Sequence, residues 1–163
     1  MSLESIRVIN MGIEKEIHQG KFSSSGQKAM LNIMFTYGWL TEKIKNILAP
    51  EDITPQQYNI LRILRGSFPQ PLSTLQIRER MLDRMSDTSR IVDRLIVKQL
   101  AKKVTSSKDR RLVDVTITEK GQAVLKKLDL QIKQIDEILG NISDKEAETI
   151  SNLLDKLRDG RKN

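Results

Sequence analysis

The sequence predicts a mainly α-helical fold of the α+β class, in which one small antiparallel ribbon interrupts a series of helices. Apolar residues recur at helical spacing along most of the chain, whereas strict alternation appears only where Val113, Val115 and Ile117 share one side. Polar residues that favour helix starts separate the helical stretches. With 163 residues, the chain has room for a small domain carrying appended helices.

The N-terminal region predicts a short helix and then a long one. The short helix carries isoleucines at helical spacing: Ile6, Ile9, Ile13 and Ile17. The long helix covers residues 28–48, and Pro50 stops it. Its large side chains are Met30, Met34, Phe35, Tyr37 and Trp39. They suit either an effector pocket or a core or dimer contact, and the second is the more economical because the stripe must be buried in any case.

The middle of the chain predicts three helices with recognisable starts. Thr54 with Gln57 and Ser73 with Gln76 both have the spacing of a capping box, in which side chain and backbone exchange hydrogen bonds. Ser86 is the predicted cap of the third helix. The buried face of that helix would carry Thr88, Ile91, Val92, Leu95 and Ile96. Two helices joined by a short turn are therefore predicted before the ribbon.

The ribbon is predicted from two strands, residues 101–105 and 112–118. Its tip, residues 106–111, is polar and mostly basic. Two more helices follow, one from about Glu119 and one capped by Ser143 with Glu146. The flanking helices have apolar stripes without a partner in the middle unit, so we expect them to pack on a second copy of the chain or on each other.

Charge is concentrated in one segment. The formal net charge is +7, and residues 78–111 hold 11 Lys or Arg against 5 Asp or Glu. A basic segment of this kind is either a solvated face or a surface for an anionic partner such as nucleic acid.

The helix that begins near Ser86 presents short polar residues and arginines opposite its apolar stripe. Ser86, Asp87, Ser89, Arg90 and Arg94 lie on or near that side. Short side chains allow close approach to base edges in the major groove, and arginine pairs with guanine or phosphate. Asp87 is expected to support the helix N-terminus and Asp93 to orient a neighbouring arginine.

The ribbon tip adds a second basic element. Lys108, Arg110 and Arg111 form a narrow basic finger that suits the minor groove, with Asp109 fixing an arginine by a charge-assisted hydrogen bond. A helix for one groove and a basic ribbon for the next is the arrangement of a DNA-binding protein.

The stretch SDTSRIVDRLIVKQLAKKV followed by KDRRLVDVTITEKG resembles the MarR (multiple antibiotic resistance regulator) family of bacterial winged-helix regulators. The resemblance covers residues 72–121 most strongly. The matching positions are Arg90, Asp93, Arg94, Leu95, Asp109, Arg111, Thr118 and Gly121.

The resemblance implies a winged helix-turn-helix with long N- and C-terminal dimerisation helices. Residues 1–50 and 119–163 would form the dimerisation helices, and residues 51–118 the DNA-binding domain. It further implies a homodimer, usually a repressor, that binds a pseudo-palindromic operator in double-stranded DNA. The N-terminal sequence lacks the layout of a secretion signal and no apolar run is long enough for a membrane span, so we expect a cytoplasmic protein. A phenolic or amphipathic small molecule often releases such proteins from DNA, and Arg111 would be the minor-groove residue.

Two positions depart from the family pattern. Gln99 stands where glycine is usual, so the end of the recognition helix should either cost about 1 kcal/mol in a left-handed conformation or be capped differently. Lys103 replaces a common arginine and keeps only the charge.

Other classes of function find little support. The chain has no cysteine and a single histidine, His18, which we interpret as an ordinary helix residue. We find no catalytic triad, phosphate loop or metal-ligand spacing, and predict no enzyme, cofactor, metal or membrane segment. The alternative is a winged-helix module that binds protein partners.

Overall fold

A computed structural model describes residues 12–105, 113–138 and 140–159. The elements, in chain order, are α1 (Ile13–Glu16), α2 (Ser25–Leu48), α3 (Pro55–Ser67), α4 (Thr74–Arg80), α5 (Thr88–Val97), β1 (Ala101–Thr105), β2 (Val113–Ile117), α6 (Glu119–Ile138) and α7 (Asp144–Asp159). A short 3₁₀ turn, Ala49–Glu51, follows α2. The mainly helical fold class with one ribbon is therefore confirmed. No helix in this part of the chain is long and apolar enough to cross a membrane.

The chain divides into two compact units, the first ending at Lys43 and the second beginning at Ile44. In the first unit, α1 carries the predicted Ile13, whereas Ile6 and Ile9 lie outside the described residues. Glu14 accepts a hydrogen bond from the Lys28 ammonium group, and this bond lowers the pKa of Glu14. His18, predicted to be helical, instead follows α1 with φ 53°.

The helix starts of the second unit follow the capping rules. Thr54 and Gln57 form the predicted capping box, as do Ser73 and Gln76. Ser143 and Glu146 exchange the same bonds at the start of α7. Each box satisfies amide groups that the first turn of a helix leaves unpaired.

One hydrophobic core holds the middle of the second unit together. It runs from Leu48 in α2 to Leu128 in α6, and its fully buried members include Ile60, Leu95 and Leu125. The first turns of α6 thus belong to the same core as the helices before the ribbon. The guanidinium of Arg65 in α3 makes two hydrogen bonds to Asp129 in α6, at 2.7 and 3.1 Å.

The ribbon pairs β1 with β2 in an antiparallel register, with Ala101 opposite Ile117 and Thr105 opposite Val113. Leu72 adds a third partner through two backbone bonds to Val115, of 2.8 and 2.9 Å. On the inward face of β2, Val115 and Ile117 are buried as predicted, whereas Val113 is 52% exposed. The ribbon therefore rests on the core only at its base.

The junction between ribbon and α6 explains the Thr118 and Gly121 pair. The Thr118 hydroxyl donates to the Gln99 carbonyl at 2.7 Å and accepts from the Gly121 amide at 3.0 Å. A Cβ at Gly121 would lie 2.2 Å from the Leu100 carbonyl oxygen. Only glycine allows this approach, so the residue is fixed by packing.

Candidate nucleic-acid interface

The start of α5 differs from the sequence-based expectation by one residue. The N-cap is Asp87, whose carboxylate accepts a hydrogen bond from the Arg90 amide at 3.2 Å. The predicted cap, Ser86, is wrong because its hydroxyl donates to Asp83 instead, at 2.6 Å. The expectation that Asp87 supports the helix N-terminus is confirmed.

The two faces of α5 are separated as predicted. Thr88, Val92 and Leu95 are buried, and Ile91 and Ile96 pack against the same core. On the other side, Ser89 and Arg94 are exposed. The Arg90 side chain is 81% exposed and lies 3.3 Å from the Asp87 carboxylate. The core therefore fixes the helix while its short polar and cationic side chains face outward.

The turn between α4 and α5 is ordered by Asp83. Its carboxylate accepts from the Ser86 hydroxyl and from the Met85 amide at 3.0 Å. These bonds, the Ser86 hydroxyl first, lower the pKa of Asp83. The Leu82 amide donates to the Asn59 side chain of α3 at 3.0 Å. The Asp83-x-x-Ser86 spacing is visible in the sequence and was the signal available for this turn.

The end of α5 is a tight left-handed cap. Gln99 has φ 62°. The Gln99 amide donates to the Ile96 carbonyl at 2.8 Å, and the Leu100 amide donates to the Leu95 carbonyl at 2.9 Å. This is the Schellman pattern, with buried Leu100 packed near the last helical turn. Of the two outcomes expected for glutamine here, the strained left-handed cap is the one found.

An ion pair links α5 to the ribbon. The Lys103 ammonium group lies 3.1 Å from the Asp93 carboxylate. Among the described residues, the partner of Asp93 is this lysine from β1 and not the expected arginine. Both side chains are more than half exposed, so the pair contributes orientation more than stability.

A cleft brings four of the predicted site residues together. The cleft between α5 and the start of α3, hereafter the α3 cleft, has a volume of about 310 Å³. Its lining includes Ser86, Asp87, Arg90 and Arg94, together with the exposed Gln56. Gln56 was missed, because no local pattern shows that the start of α3 lies beside α5. The predicted ribbon-tip residues Lys108, Asp109, Arg110 and Arg111 lie outside the described residues.

A larger groove adjoins the C-terminal half of α5. This groove, hereafter the Arg94 groove, has a volume of about 830 Å³ and is lined by Lys45, Ile53, Arg94, Val97 and Lys98 among others. Arg94 lines both this groove and the α3 cleft. The Lys98 ammonium group is held at its edge by Asp52, 2.8 Å from the carboxylate.

No family model matches the chain. The HTH-type transcriptional regulator MhqR of Bacillus subtilis (strain 168) is 25% identical over 131 residues, which are 80% of this chain and 89% of MhqR. The crystal structure of a MarR transcription factor from Planctomyces limnophilus is 32% identical with a TM-score of 0.63, over 83% of this chain and 98% of that one. A MarR mutant from E. coli, crystallised with operator DNA, has the same fold at 22% identity and a TM-score of 0.68, over 77% of this chain and 91% of that one.

Proposed function

This chain belongs to the MarR family of transcription regulators, and from that premise we propose that it binds a pseudo-palindromic operator in double-stranded DNA as a homodimer. The observation that carries the proposal is the outer face of α5. Arg90 and Arg94 stand there beside short hydroxyl residues, on a helix fixed from below by Thr88, Val92 and Leu95. Such a helix enters the major groove and contacts base edges from its N-terminal half.

The ribbon is proposed to contact the adjacent minor groove. The β1–β2 pairing supports this role, because it extends beyond the core and ends at the basic segment of Lys108, Arg110 and Arg111. Narrow minor grooves carry enhanced negative potential that attracts arginine. Asp109 is proposed to orient one of these arginines.

A homodimer is proposed because the long helices leave their apolar residues uncovered. In α2, Met34 is 63% and Tyr37 69% exposed; in α7, Ile150, Leu153 and Leu157 are 46–66% exposed. The three residues of α7 repeat every three or four positions and so form one stripe. Contiguous apolar surface of this kind marks a protein interface.

We propose that the protein represses transcription and that a phenolic or amphipathic effector in the Arg94 groove releases it. The position of Arg94 supports release by an effector, because this one side chain lines both the Arg94 groove and the α3 cleft. Salicylate, as a phenolic probe, should weaken operator binding by the parent and weaken it less in Lys45→Ala. An equal response of both proteins would contradict this location.

Repression predicts higher expression of a reporter carrying the operator when the protein is absent.

Selection of bound duplexes from a random pool tests the proposed function. We expect a two-fold-symmetric site with half-sites about one helical turn apart. Against this site, Arg90→Ala should weaken binding by about 1–3 kcal/mol and change the preferred bases within the half-site. Arg111→Ala should relax preference in A·T-rich flanks.

Arg158→Ala is the matched control for Arg90→Ala and Arg111→Ala, because it removes the same charge from α7, where Arg158 pairs with Asp155. If selection returns no symmetric site and salt does not weaken the complex, a winged-helix module for protein partners becomes the better account.

A further inference from the structure

We propose that a second cleft, on the opposite flank of α5, binds the DNA backbone through Arg78 and Arg84. This cleft, hereafter the α4 cleft, lies between α4 and the start of α5 and has a volume of about 430 Å³. Thr74, Ser86 and Ser89 contribute hydroxyl groups to its lining, beside the two arginines. The inference rests on the proposed function, because it names an additional contact within the same DNA complex.

Both arginines are available for an external anion. Arg78 and Arg84 are exposed, and neither forms an ion pair with another residue in the described part of the chain. The nearby carboxylates are already engaged. Asp83 accepts from the Met85 amide and the Ser86 hydroxyl, and Asp87 faces Arg90. The cleft therefore offers positive charge and the hydroxyl groups of Thr74 and Ser89, and the acidic residue in its lining, Asp87, is paired with Arg90.

The cleft is also held in shape. Asp83 closes the turn that carries Arg84, and Asn59 anchors the same turn through the Leu82 amide. Ile77, one residue before Arg78, is fully buried in the core. Backbone positions of both arginines are thus set before binding, which reduces the ordering cost that a flexible basic loop incurs.

The rim of the cleft favours a nucleic-acid backbone over a free inorganic anion. Leu75 is 63% and Met85 93% exposed, and both line the cleft beside the arginines. Phosphates of a DNA strand come joined to deoxyribose, whose carbon atoms suit such apolar neighbours, whereas free phosphate offers nothing to them.

The position of the two clefts fits a duplex. The N-terminal half of α5 stands between the α3 cleft, with Arg90 and Arg94, and the α4 cleft, with Arg78 and Arg84. A helix in the major groove has one sugar-phosphate backbone on each side, about 12 Å apart. We therefore assign the backbone on one side of α5 to the α4 cleft.

The test is the salt dependence of operator binding by Arg78→Ala, Arg84→Ala and the double variant. Loss of one phosphate contact reduces the log–log salt slope by about 0.9, so the double variant should lose about 1.8 per subunit. Affinity for random-sequence duplex should fall by the same factor as affinity for the operator, because phosphate contacts carry no sequence information. Unfolding curves should match the parent, since both side chains are exposed.

Arg80→Ala is the control from the same helix. Arg80 is exposed and bonds to Ser67 at 2.8 Å, and it does not line the cleft. Its slope should stay near that of the parent. In a second experiment, single phosphates of the operator are replaced by neutral methylphosphonates. At one position this replacement should weaken operator binding by the parent but not by Arg84→Ala.

The outcomes separate the two proposals. A parent that binds with a steep salt slope while the double variant keeps that slope would overturn the α4 cleft and leave the proposed function standing. A parent without salt-dependent binding would overturn both.

Discussion

Between Leu48 and Leu128 a set of large apolar side chains forms one enclosed core, whereas the large apolar side chains in the middle of α2 and along α7 face solvent. Ile60, Leu95 and Leu128 are 0% exposed. By contrast, every residue from 32 to 39 in α2 is exposed, and α7 contains no buried residue. The central region (residues 48–128) has completed its core within one chain, and the flanking helices have not.

We propose that this difference marks the part of the fold that depends on a partner. Burial of apolar surface stabilises by about 25 cal/mol per Å², so the central region obtains its stability internally. On this proposal the flanking helices gain most of their stability when a second copy of the chain covers them. Predictions that perturb each region separately test whether this division is real.

The largest expected effect comes from Gly121→Ala in the central region. The added Cβ would lie 2.2 Å from the Leu100 carbonyl oxygen, so backbone must move. We expect a loss of about 3 kcal/mol in the free energy of unfolding, measured by urea denaturation. Gly66→Ala is the control, because a Cβ there meets nothing within 4 Å. It should be neutral or slightly stabilising, and equal stabilities of the two variants would contradict the packing account.

The second prediction perturbs the flanking helices and leaves the central region unchanged. Leu153→Glu places a charge in the apolar stripe of α7, which should weaken dimerisation by about 3 kcal/mol, roughly 100-fold. Sedimentation equilibrium should show monomer where the parent is dimer, while the unfolding of the central region persists. Asn152→Glu, on the opposite side of α7, should leave the dimer intact. An Asn152→Glu protein that dissociates equally would show that charge alone is responsible.

A smaller effect is expected at the end of α5. Gln99 has φ 62°, a conformation that glycine adopts without strain. Gln99→Gly should therefore raise the free energy of unfolding by about 1 kcal/mol. Gln99→Ala keeps the side-chain penalty and should show no such gain. If glycine and alanine behave alike in thermal unfolding, the left-handed cap carries no strain.

The smallest effect concerns the Arg65–Asp129 pair and its dependence on pH. The hydrogen bond from Arg65 holds the pKa of Asp129 below its ordinary value of 3.8. A lowered carboxyl pKa stabilises the folded state above the unfolded pKa, and that contribution disappears as the pH falls through the folded pKa. Because both side chains are more than a third exposed, Asp129→Asn should cost less than about 1 kcal/mol at neutral pH. The difference in the free energy of unfolding between Asp129→Asn and the parent should shrink below pH 3.8. A difference that stays constant with pH would rule out the Asp129 charge as its cause.

Local signals in the sequence predicted much of this fold and part of its site. Thr54 with Gln57 and Ser73 with Gln76 define their helix starts through bonds within one turn, so spacing alone sufficed. Ser86 was misassigned because Asp83 competes for its hydroxyl from outside the helix.

Features that depend on tertiary packing were not visible in this way. Gln56 and Arg94 share a cleft although 38 positions separate them in the chain. Arg78 and Arg84 look like surface charge until α4 and the turn place them beside Ser86. Thr118 and Gly121 were identified by resemblance, and their physical reason appears only in the approach to Leu100.

The measurement that tests the central claim most directly is the mass of the protein–DNA complex on a selected operator, by native mass spectrometry or sedimentation. Pairing of two chains through α2 and α7 predicts two chains per symmetric duplex for the parent and for Asn152→Glu. It also predicts one chain on an isolated half-site for Leu153→Glu, with the central region still folded. A parent that binds the full site as a single chain would contradict the claim that the flanking helices are completed by a second copy.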